Sequence, residues 1–257
     1  MKLSHWYGRL GNNIQQCAVG LMCAQAYNTE FIQPLEHEII PTFTEKFGDT
    51  RRSGFSKFFY YDGPFREVPI EVGKIYTEIR SFCKTYIRPR LDLPPVEVDP
   101  DCLVIHIRSG DVFDRGVDNP GQYVPNPYCF YGALLENFEK AIVVTEPDRH
   151  NPIVEELRWN PKVTIQSKSV AEDFATLMAA KHVATSGVGT FGIAAALCSD
   201  KITDLYCTDL CIGEHLNYKM LYNTDVVINM MVLADYIKTG EWANTNEQRE
   251  FLFSYKV

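Results

Sequence analysis

After residue 97 the apolar positions fall into two kinds of run that take turns along the chain. Short runs predict strands over 103–107, an apolar β-branched run of the kind buried on both faces, and over 141–145, 163–166, 182–185 and 202–207. Between and beyond them, apolar positions at three- and four-residue spacing predict helices over 128–139, 152–159, 170–181, 191–198 and 230–238. Such alternation is the signature of a doubly wound α/β unit. The first 96 residues are less regular. A short strand from Lys2, a turn with two glycines and a helix open the chain, and a strand follows over 30–33. A stretch rich in Phe, Tyr and Gly then runs to about residue 68. The next helix, over 72–86, carries Ile75, Ile79, Phe82, Cys83 and Tyr86 as a core-facing stripe until Arg88-Pro89 stops it. Leu93-Pro94-Pro95-Val96 marks a boundary, so the expected organisation is two Rossmann-type domains, a small one over 1–96 and a larger one over 97–257.

Three turns in this pattern carry chemistry. The strand over 103–107 contains His106 and ends in Arg108-Ser109-Gly110-Asp111. A cation at a strand's carboxyl end needs a partner, and ligands of open α/β sheets bind there. Arg108 therefore reads either as a two-pronged phosphate ligand or as one half of an ion pair with Asp111. The opening turn, Gly8-Arg9-Leu10-Gly11-Asn12-Asn13, leads into a helix that Asn12 or Asn13 would cap. It reads either as an anion site reinforced by Arg9 or as an ordinary capped turn. The third, Ser186-Gly187-Val188-Gly189-Thr190-Phe191, opens a helix of small residues, where glycines let a phosphate approach the backbone. It lacks the Gly-Lys-Ser/Thr of a P-loop and the glycine spacing of a dinucleotide fingerprint.

A formal net charge of −8 argues against general nucleic-acid binding, and 46% hydrophobic with 23% charged residues is ordinary for a globular chain. No apolar run approaches the roughly 20 residues of a membrane span. His5 and Arg9 interrupt the place where a signal peptide would have its apolar core. The eight cysteines, lacking paired metal-ligand spacing, are expected to be reduced thiols. Asp99-Pro100-Asp101 spells a metal-binding Asp-x-Asp but precedes its strand, where it reads as a turn.

The three turns, in this order, resemble those of the GDP-fucose-dependent fucosyltransferases, most closely the α1,2 type and more distantly the α1,6 and protein O-fucosyltransferases. The resemblance rests on Gly8 to Asn12, on His106 to Asp111, and on the Glu-Asp helix, Lys-His junction and turn from Glu172 to Phe191. It implies a GT-B-like fold, two Rossmann-type domains facing a cleft, and inverting transfer of fucose from GDP-fucose to a glycan hydroxyl without a metal or other cofactor. It implies Arg108 on the β-phosphate, with Arg9 as a second cation and Gly11 and Asn12 in the same donor region. Ser186, Thr190 and Phe191 would line the phosphate turn, His106 would lie near the ribose, and Asp173 would accept from the guanine edge. Asp114 is the expected general base. Family members that work in the Golgi carry a membrane anchor, so a chain without one is expected to be cytoplasmic, microbial or viral, or a trimmed catalytic domain.

Position 109 is Ser where a second arginine is usual, and Gly187, Gly189 and Gly192-Ile193 replace serine, asparagine and paired aromatics. Those departures keep other donors open, such as GDP-rhamnose or UDP-xylose. A non-catalytic nucleotide-sugar or glycan-binding module is the rival from another class. Against it stands the expectation that Arg9 and Arg108 are two unpaired cations in one cleft. Trp6, Tyr7, Phe58, Phe59, Tyr60 and Tyr61 are further candidates to stack on sugar rings.

Overall fold

The computed structural model describes residues 1–50, 56–57, 70–114, 121–148, 150–213 and 215–257, so Phe58, Phe59, Tyr60 and Tyr61 lie outside the described residues. A small sheet is formed by β1 (Lys2–Leu3), β2 (Glu30–Gln33), β3 (Phe43–Lys46) and β4 (Ser56–Lys57) in the order β3-β2-β1-β4. Only β2 and β3 pair antiparallel. Helix α1 (Leu10–Ala26) leaves this sheet, and α2 (Val72–Phe82) continues through a π-helical turn (Cys83–Ile87) into a 3-10 turn at Arg88–Arg90.

The large sheet contains β5 (Leu103–Ile107), β6 (Ala141–Thr145), β7 (Val163–Gln166), β8 (His182–Ala184), β9 (Asp204–Thr208) and β10 (Val227–Met231). All six strands run parallel, in the order β10-β9-β8-β5-β6-β7. Counted from β5, that is the 3-2-1-4-5-6 order of the Rossmann fold, with the direction of winding reversing between β5 and β8. Helices α3 (Tyr128–Asn137), α4 (Pro152–Leu157), α5 (Val170–Ala179), α6 (Phe191–Cys198) and α7 (Asn246–Ser254) complete the chain.

Alternation along β5 shows why its apolar run tolerates a histidine. Leu103, Ile105 and Ile107 join one core with Phe130, Leu135, Ile153, Leu157 and Leu252, from α3, α4 and α7. Val104 joins the other core, with α5, α6, α1 and the small sheet. His106 shares the Val104 face, where Gly192 of α6 comes close enough that a Cβ there would lie 3.8 Å from that of His106. Helix α1 lies inside that second core, and the same apolar cluster runs from Leu3 and Phe31 to Leu205. Residues of the small sheet, of α1 and α6 and of the large sheet therefore share one apolar cluster.

The helix expected over 230–238 is corrected: Val227–Met231 is strand β10, and 3-10 and turn structure flank it. As an edge strand with both faces partly exposed, it lacks the alternation that marks a half-buried strand. The expected cap is corrected too. Helix α1 begins at Leu10 with Arg9 at the cap position, so Asn12 and Asn13 lie in its first turn. The Asn13 side-chain amide donates instead to the carbonyl of Tyr7, at 3.1 Å. Helix α7 went unpredicted because Leu252 is its one buried residue. The Asp99 side chain accepts from the Asp101 N–H at 3.1 Å and pairs with Lys140 at 3.0 Å, the geometry of a turn.

Candidate functional site

A cavity of about 730 Å³ opens at the carboxyl ends of β5 and β6 and at the turn after β8, beside the point between β5 and β8 where the winding reverses, and the start of α1 faces it. Parallel-sheet crossovers leave such a crevice at a switch point, and side chains from strand ends, helix starts and the small sheet meet there. Arg9, Gly11, Asn12, His106, Arg108, Asp173, Thr190 and Phe191 all line it. Ser186 and Asp114 do not. Ser186 is buried behind the turn, its Oγ 3.1 Å from the place a Gly189 Cβ would occupy, and Asp114 is exposed.

Arg108 leaves the end of β5 with its side chain 18% exposed. Its Nη2 donates to both oxygens of Asp111, at 3.1 and 3.0 Å, and the guanidinium packs 4.1 Å from the centre of the Tyr123 ring. Its buried Nε has no hydrogen-bond partner among the described residues. Arg9 is 62% exposed; it donates to Glu146 at 2.8 Å and lies 3.4 Å from the same Asp111. The two cations are therefore not unpaired: they converge on one carboxylate, and the ion-pair reading of Arg108 holds. Glu146 in turn accepts from the Ser109 N–H at 2.6 Å.

Two helix starts open into the same space. Neither α1 nor α6 has a side-chain hydrogen bond at its cap position, and Gly8 to Asn13 and Gly189 to Phe191 line the cavity. First-turn N–H groups and the dipole of each helix add positive potential there. The starts are locked together, with Thr190 Oγ1 donating to Asn12 Oδ1 at 2.8 Å. A Cβ on Gly11 would come within 2.7 Å of the Thr190 backbone, so glycine is what allows the approach. Helix α5 differs: Ser169 and Glu172 close its start with a reciprocal capping box.

His106 lies 5.0 Å from Phe191, ring centre to ring centre. Burial, helped by the charges of Arg108 and Arg9, pushes its pKa down to about 3, so the imidazole is neutral at neutral pH. Asp173 is buried and accepts from Gln166 Nε2 at 2.8 Å and from the Lys168 N–H. Burial raises its pKa above the usual carboxylate value. A carboxylate has room for about four bonds, so the one at Asp173 retains accepting capacity.

The residues at positions 109 and 187 are fixed by their surroundings. Ser109 is fully buried, donating to Asp148 at 2.7 Å and accepting from the Asn151 N–H at 2.9 Å, with no room for a second arginine. Gly187 has φ +88, and a Cβ there would lie 2.5 Å from the Val124 carbonyl oxygen. The nearby Asn126 is wholly buried and ties the two strand ends, donating to the Thr185 carbonyl at 2.8 Å and accepting from Thr208 Oγ1 at 2.7 Å.

Tyr123, Thr145, Glu146, Lys168, His37 and Glu38 also line the cavity and were missed from sequence. Thr145 and Glu146 follow the strand-end logic that picked out Arg108, applied one strand over. The eight cysteines are free thiols. Among the described residues, no group of three or more His, Cys, Asp or Glu side chains is placed to hold a metal ion, and no helix is long and apolar enough to cross a membrane. No protein-family model matches the chain, and no curated protein matches it.

Proposed function

We propose that this chain is an inverting, metal-independent glycosyltransferase that moves fucose from GDP-fucose to a glycan hydroxyl, with a GT-B-like pairing of two Rossmann-type units around the cleft. The observation that carries the reading is the meeting of two guanidinium groups, one from the start of α1 and one from the end of β5, on one carboxylate between two uncapped helix starts. That is a position built for negative charge, which Asp111 fills in the absence of donor. A nucleoside diphosphate carries the same sign of charge and more acceptor oxygens, and guanidinium forks suit it.

On this reading the donor's diphosphate takes over the contacts to Arg108 and Arg9, and the first-turn N–H groups of α1 and α6 complete the cradle. As the bond from the sugar's anomeric carbon to the β-phosphate oxygen breaks, negative charge grows on the departing GDP. Fixed cations in a partly dry cleft stabilise that charge more than they stabilise the bound donor, which is what raises a rate. Neutral His106 adds no competing positive charge and keeps a polar edge for a ribose hydroxyl. Asp173 accepts from the guanine N1 and N2 donors.

The test is nucleotide release from a panel of GDP- and UDP-sugars with glycan acceptors and EDTA present, for wild type and Arg108→Ala. GDP release from GDP-fucose that depends on acceptor and vanishes in the variant is expected. Consumption of UDP-xylose or GDP-rhamnose instead would change the donor. Donor binding with no turnover under any acceptor would favour the binding module, and neither binding nor release would overturn the proposal.

A further inference from the structure

Transfer to a hydroxyl leaves one task unassigned, removal of the acceptor proton. Four carboxylates and three histidines line the cavity: Glu38, Asp111, Glu146, Asp173, His37, His106 and His215. Most are committed elsewhere. Asp111 is held by both guanidiniums, Glu146 by Arg9 and the Ser109 N–H, and Asp173 by Gln166 and the Lys168 N–H. His106 lies against Phe191 beside both arginines, where a proton would add a third positive charge. His215 is only 6% exposed. His37 Nδ1 accepts from the N–H groups of Ile39 and Ile40, at 3.0 and 3.1 Å. Its proton therefore sits on Nε2, facing Asn13 Oδ1 at 3.2 Å, and no lone pair is left for a substrate.

Glu38 is the exception. It is exposed, lines the cavity, and makes no hydrogen bond or ion pair among the described residues. The loop that carries it is unusually well tied. Gln33, wholly buried at the end of β2, donates to the carbonyls of Leu35 and Pro41 at 2.8 and 3.1 Å and accepts from the Leu35 N–H at 2.6 Å. Trp6 donates to the Glu36 carbonyl at 3.0 Å and sets its ring edge-on to His37, 5.3 Å between centres. A free carboxylate on a rigid loop is the arrangement a positioned base needs.

Resting on the proposed transferase reading, we infer that Glu38 is the catalytic base and that the acceptor glycan enters over the wall formed by Trp6, Tyr7 and Glu38. Trp6 and Tyr7 follow β1 and Glu38 follows β2 of the four-stranded sheet, whereas Arg108 follows β5 of the six-stranded one. Inversion requires attack from the side away from the leaving diphosphate, so acceptor and base are assigned to this wall and the departing GDP to the Arg108 side. In the step, the acceptor O–H proton passes to the Glu38 carboxylate as its oxygen bonds to the anomeric carbon. The electron pair of the breaking carbon–oxygen bond leaves with GDP.

The experiment measures GDP-fucose affinity and acceptor-dependent GDP release for wild type, Glu38→Gln and Glu38→Ala. Being exposed, position 38 tolerates both changes, and unchanged donor affinity certifies the fold. Glu38→Gln is expected to bind donor within twofold of wild type but release GDP about 100- to 10,000-fold more slowly. Sodium formate, a small replacement base, is expected to restore part of the rate to Glu38→Ala, which a merely structural role would not allow. Release by Glu38→Gln within threefold of wild type overturns the assignment while leaving the transferase reading intact. A wild type that neither binds nor consumes any nucleotide sugar overturns both.

Discussion

Arg108 and Arg9 share Asp111, but the fold holds them in different ways. Arg108 stands on a fully buried strand with its guanidinium against the Tyr123 ring and its side chain 18% exposed. Arg9 comes from a surface turn, is 62% exposed, and divides itself between Asp111 and Glu146. A cation fixed before the reaction and shielded from water does most for a transition state. One in solvent contributes mainly attraction, which salt screens. On the proposed function the pair separates rate from capture, with Arg108 supplying the first and Arg9 the second.

Removing Arg108 is the most severe way to break that contrast. Arg108→Ala is expected to lower GDP release by about 1,000-fold or more, on the scale of lost transition-state donors in other enzymes. Arg108→Lys is expected to recover little, because an ammonium has neither the fork nor the stacking plane. Steady-state turnover checks both. Arg9→Ala is expected to weaken donor binding about tenfold at low ionic strength, with the loss shrinking as salt rises. A salt series on donor affinity decides this, and a salt-independent loss would make Arg9 a second fixed donor.

Two smaller effects concern the ring beneath Arg108 and the buried imidazole of His106. Tyr123→Leu takes away the ring beneath Arg108 and makes that arginine more like Arg9. A stacked cation contributes about 1 kcal/mol, so turnover is expected to fall about fivefold. His106 sets a pH signature. Its folded pKa, about 3, lies below the ordinary 6.5, so below pH 6.5 the unfolded chain takes up a proton that the folded one refuses. Stability is therefore expected to fall as pH drops from 6.5 towards 3, by up to about 1.4 kcal/mol per pH unit, and to be unaffected by this group above 6.5. His37, also pushed down by burial, adds in the same direction. Urea unfolding of wild type and His106→Phe across that range isolates the His106 share as the difference in slope.

Strands β5 and β6 were legible to the residue, because burial leaves a continuous apolar run, and β7 through its β-branched residues although it is only partly buried. Helix α6 was equally clear, a run of small apolar residues after a glycine-rich turn. Strand β10 was not, since an edge strand's exposed Val227 and Met230 carry no period that tells strand from helix. The start of α1 misled because Asn12 and Asn13 look like caps, while the actual start is fixed by Asn13 reaching back to Tyr7.

In the site, motif and strand-end position picked out both arginines, and the cavity gathers them. Their partners were hidden for a different reason. Glu146 meets the Ser109 N–H beside Arg108 because β5 and β6 pair Ile107 with Thr145, and Tyr123 stacks on Arg108 from a position distant in sequence. Glu38 carries no local signal at all; what marks it is the absence of a partner in a loop where Gln33 and His37 tie the backbone.

On the proposed function, Arg108 holds a nucleoside diphosphate at the end of β5. Calorimetric titration of the chain with GDP in EDTA, wild type against Arg108→Ala, tests it most directly. Tight binding by wild type that weakens at least a hundredfold in the variant is the predicted result. Equal affinity of the two proteins, or no binding by either, would contradict the account.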